Sequence, residues 1–62
     1  MEQKLLEELE KMAAFVKEDF EKYGDREAHR YELARLFGAL ELANRVTGLN
    51  YTLQGDGTVI EN

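Results

Sequence analysis

Tyr31–Val46 reads YELARLFGALELANRV, and its apolar residues do not keep to a single stripe. At about 100° per residue, Leu33, Leu36, Phe37 and Leu40 fall on one side of a helix. Ala39, Leu42, Ala43 and Val46, with Leu49 beyond, carry the apolar surface most of the way round. The polar strip left over, Gly38, Glu41 and Arg45, spans roughly 60°. One partner helix does not cover so wide an arc, and a helix of this kind is normally buried in a larger assembly. The remaining cover must come from another part of the chain, from a second copy or from a foreign partner.

On the N-terminal side, Gly24 accepts the left-handed conformation that ends a helix, and Asp25 is a residue type that caps the start of the next. The second helix is therefore expected over about 26–47, closed by Gly48. Before the break, Leu5, Leu9, Met12, Val16, Phe20 and Tyr23 recur at steps of three and four, with Leu6 and Ala13 widening the stripe. This period predicts a first helix over about 3–23. Glu7 and Lys11, Glu18 and Lys22, and Glu41 and Arg45 stand in order for i, i+4 pairs on solvated faces. A very short link between helices of equal length predicts an antiparallel helical hairpin.

On the C-terminal side the helical period ends. Tyr51, Thr52 and Leu53 precede Gly55-Asp56-Gly57, and Thr58, Val59 and Ile60 follow it, so a β-hairpin is expected over about 50–54 and 58–61. A two-residue Asp56-Gly57 loop would set Leu53 opposite Ile60, and a three-residue loop would set it opposite Val59. The fold class is thus mainly α, a helical hairpin with a short C-terminal β-hairpin, dimerising as a four-helix bundle.

A chain of 62 residues makes one domain, 1–62, and folding buries only about 60% of the surface of the unfolded chain. Domains this small usually add disulfides, a metal or a partner subunit. Cys is absent and there is one His, so association is the expected route. Ser is also absent, leaving only Thr47, Thr52 and Thr58 as hydroxyl nucleophiles apart from Tyr, so no enzyme and no cofactor are expected. The net charge of −5 disfavours nucleic acid and anionic membranes as direct partners. Without Cys or an apolar signal core, a cytoplasmic setting is the expectation.

The leading reading is a small acidic protein-binding module with a regulatory or assembly role, whose partners are a second copy of itself and another protein. Its candidate interface residues are Phe15, Gly38, Ala39, Leu42, Ala43, Val46, Arg26 and Arg30. Phe15 lies about 60° outside the first helix's stripe, and Phe is enriched in interface cores. Ala34 and Gly38, and Ala39 and Ala43, are small residues at i, i+4 that allow close approach; Gly38 either admits Phe15 or Phe20 of the first helix or meets another subunit. Arg26 and Arg30 stand where the helix dipole disfavours cations, and Glu18 or Glu21 of a neighbouring chain would compensate them. The alternative is an inhibitor of a nucleic-acid-binding protein, of the kind small mobile elements carry, presenting Glu7, Glu8, Glu10, Glu18, Asp19 and Glu21. The least favoured reading is a metal or enzyme site around Asp25, His29 and Glu32, because the bundle di-metal pattern needs Glu-x-x-His. A half-buried His29 with a local hydrogen bond is the simpler expectation.

Overall fold

The computed structural model describes residues 2–62, with side chains from Gln3 onward. Two helices, α1 (Glu2–Tyr23) and α2 (Glu27–Thr47), pack antiparallel, and two strands, β1 (Tyr51–Leu53) and β2 (Val59–Glu61), follow as an antiparallel pair. Gly24 ends α1 at φ 78°, its N–H donating to the Phe20 carbonyl at 2.7 Å. Gly48 ends α2 in the same way, at φ 73° and with its N–H on Asn44 O at 2.9 Å. Both stops fall where the glycines predict them, because only Gly enters that conformation without a Cβ penalty.

The start of α2 differs from expectation by one residue. Arg26, in extended conformation, holds the N-cap position and gives no side-chain cap. Asp25 lies one residue too early to cap, and its carboxylate faces Arg30 at 3.4 Å instead. The Arg26 guanidinium reaches back across the link to Asp19 of α1, 2.7 Å away.

Leu9, Ala13 and Val16 of α1, Leu36, Leu40 and Ala43 of α2, and Tyr51 and Val59 of the strands make the buried core. Leu5, Leu6, Met12, Leu33, Ala39, Leu49 and Leu53 pack partly buried around it. The β-hairpin thus folds back on its own helices, β1 against α2 and β2 against α1. Two residues of the expected apolar stripes stay largely outside this core. Phe37 remains 52% exposed and Phe20 48%. Phe37 lies about 100° round α2 from the fully buried Leu36, at the edge of the arc that the core covers, while Phe20 rests on His29.

The strands are three residues each, shorter than expected, and Leu53 pairs with Val59. Gln54 N–H continues the ladder to Thr58 O at 2.7 Å, so the loop is the three-residue Gly55-Asp56-Gly57. Gly57 takes φ 90°, the αL-type residue that closes a three-residue hairpin loop. It also lies against Lys17 of α1, where an added Cβ would come 2.7 Å from Lys17 Cδ. Of the expected i, i+4 pairs, Glu41 and Arg45 meet at 2.7 Å, whereas Lys11 turns to Glu8 at 3.4 Å. Among the described residues no helix is long and apolar enough to cross a membrane.

Candidate functional site

The β-hairpin covers one side of the helical pair and leaves the other bare. On that bare side, Met12 and Phe15 of α1 line a cleft of about 260 Å³ with Lys11, Val16, Glu32 and Arg35. From Arg35 the same side of α2 continues through Ala39, Leu42 and Val46 at alternating steps of four and three, and Leu5, Glu8, Met12 and Phe15 follow the same rhythm on α1. This is the spacing at which helices interlock side by side. Phe15 is 59% exposed, Leu42 64% and Val46 76%. Arg35 has no ion-pair partner among the described residues.

Of the residues singled out in the sequence, Phe15, Ala39, Leu42 and Val46 share this face. Gly38 stands at its border, and nothing lies within 4 Å of where its Cβ would be. It therefore makes no room for Phe15 or Phe20. Ala43 belongs to the chain's own core, 5% exposed. Arg26 is engaged within the chain by Asp19, and Arg30 faces Asp25. The Arg26 guanidinium also lies 4.7 Å from the centre of the Tyr23 ring.

A second feature occupies the loop end of the helical pair. Asp19, His29 and Glu32 bring ligand-type atoms within 4.8 Å of one another. Asp19 and His29 are each only 9% exposed. Asp19 Oδ2, His29 Nδ1 and Glu32 Oε2 are all buried without a hydrogen-bond partner, so His29 is buried rather than half-buried and its Nδ1 makes no hydrogen bond. Asp25, placed with His29 and Glu32 by helical projection, is instead 66% exposed. Asp19 takes its place from the facing helix. The signal was present in the chain: in an antiparallel pair joined at residues 24–26, positions a few residues before the link face those a few residues after it.

Asn44 ties the two halves of the molecule together. Its Oδ1 accepts from Tyr51 N–H at 2.6 Å, and its Nδ2 donates to Tyr51 O at 3.1 Å. This fixes the β-hairpin to one side of α2 and so decides which side remains bare. Comparison with known proteins leaves these features to speak for themselves, since no protein-family model, no curated protein and no solved structure matches the chain.

Proposed function

We propose that the protein is a non-catalytic binding module with a regulatory or assembly role, that it works as a homodimer, and that the second copy seats on the face of Met12, Phe15, Ala39, Leu42 and Val46. The observation that carries this reading is the exposure of Phe15, Leu42 and Val46 on one face at interlocking spacing. In a chain whose buried core is so small, solvent exposure of large apolar side chains on one continuous surface marks an interaction site.

Three features favour a second copy as the occupant. A two-fold interface is made by one patch meeting itself, and this patch offers the same step pattern on both of its helices. It also carries both charge signs, with Lys11 and Arg35 beside Glu8, so the patch does not repel a copy of itself as a one-signed face would. The molecule measures 34 × 17 × 16 Å, so a contact over one whole long side would bury at most roughly 600 Å² per copy, at the low end of the range for a specific interface. Four helices then enclose the second apolar layer, with the β-hairpins on the two outer sides. Gly38, at the border, permits close approach.

Light scattering on the purified chain, with Leu42→Glu and Phe15→Glu alongside, tests the reading. The expected wild-type mass is that of two chains, and both variants are expected at one chain with unchanged helical circular dichroism, because neither side chain belongs to the buried core. A wild-type mass of one chain throughout the micromolar range overturns the reading.

A further inference from the structure

We infer that Asp19, His29 and Glu32 form a binding site for a divalent transition-metal cation of the zinc class, which clamps the loop end of α1 to that of α2. The observation behind it is a coincidence of three orphaned groups. Buried polar atoms in folded proteins are nearly always partnered, and each exception calls for an explanation. Here Asp19 Oδ2, His29 Nδ1 and Glu32 Oε2 are unpartnered together, and the three residues converge within 4.8 Å. Nitrogen from imidazole and oxygen from two carboxylates is a donor set that Zn²⁺ accepts at about 2.0–2.2 Å. One cation satisfies all three groups at once, with modest inward turns of the side chains.

The surroundings already hold two of the ligands in place. Arg26 Nη2 donates to Asp19 Oδ1 at 2.7 Å, which orients the carboxylate and leaves Oδ2 as the free oxygen. The Phe20 ring lies 4.9 Å from the imidazole of His29, tilted by 48°, and limits its rotation. His29 and Glu32 are one turn apart on α2, in the order His-x-x-Glu, and Asp19 comes from α1 across a three-residue link. Outer contacts of this kind orient metal ligands and are integral to metal affinity. Three protein donors leave at least one position for water, and Glu32 borders the Phe15 cleft.

The site lies within one chain, so it stands or falls independently of self-association. Titration of Zn²⁺ against a chromogenic chelator, and of Co²⁺ followed by its visible absorption, is expected to show one ion per chain. His29→Gln and Glu32→Gln are each expected to weaken binding about tenfold or more, and Asp25→Asn to leave it unchanged. Asp19→Asn also removes the partner of Arg26, so the two Gln variants keep the test decisive if that protein fails to fold. Absence of Zn²⁺ binding by the wild-type chain, or equal binding by His29→Gln and Glu32→Gln, overturns the assignment.

Discussion

Asp56 stands exposed at the tip of the β-hairpin, yet its carboxylate is engaged. The Thr58 hydroxyl donates to Oδ1 at 2.6 Å and the Thr58 N–H at 3.0 Å. The hydroxyl first, then the amide, hold the Asp56 carboxyl below the usual carboxylate value, with Lys17 adding a small charge effect. A carboxylate whose value is lowered by folding supports the folded turn above its unfolded value of about 3.9, and that support is lost as the pH falls through the folded value. The Thr58 amide resonance should therefore shift upfield on acidification below about pH 4, and Asp56→Asn should remove the titration. A pH-independent Thr58 amide in the wild-type chain would contradict the contact. At this scale the sequence is legible where a residue acts through its neighbours in the chain, as Asp56 does between two glycines. It is opaque where the partner is distant: Asp19 reads as one more acid on a solvated face, and only the turn at 24–26 brings it to Arg26, His29 and Glu32.

The elements themselves are the most legible level. Steps of three and four define both helices, and Gly24 and Gly48 end them, because each signal is local and repeats. The β-hairpin is recognisable, but its register is not, since Leu53 faces an apolar residue in either pairing and only the three-residue loop with Gly57 at φ 90° decides between them. Where the hairpin lies is set by a side chain with no periodic signal. Asn44, on the helix, supplies an acceptor and a donor to the backbone of Tyr51, the buried first residue of β1. Asn44→Ala withdraws both bonds and should cost about 1–3 kcal/mol, since Tyr51 backbone groups then lose a partner in a half-buried place. Urea unfolding monitored by Tyr fluorescence measures this, and a loss well under 0.5 kcal/mol would mean that apolar packing of Tyr51 and Val59 alone holds the hairpin.

For the whole molecule, the balance lies between a core of few side chains and a bare face of comparable breadth. The chain's own tail covers one side of α2 with Tyr51, and α1 covers the next with Leu9, Ala13 and Val16; the proposed second copy covers the third. The broad apolar arc of residues 31–46 is thus covered by two segments of the same chain and, in the proposed dimer, by a second copy, with Phe37 left half exposed, which explains why its breadth was legible in the sequence while the allotment of Ala43 and Leu42 to different neighbours was not. If self-association contributes to stability, the melting temperature rises with chain concentration by mass action. Salt then separates this reading from one based on the acidic first helix. Two copies together carry −10, twice the −5 of each, and screening of that repulsion should strengthen a dimer held by Phe15, Leu42 and Val46. Binding of a basic protein through α1 should weaken under the same change. Melting curves at two chain concentrations and two ionic strengths are therefore expected to give the highest midpoint at high concentration and high salt. A midpoint independent of concentration would identify a chain whose stability is complete within one copy, with Phe15 and Leu42 left to solvent.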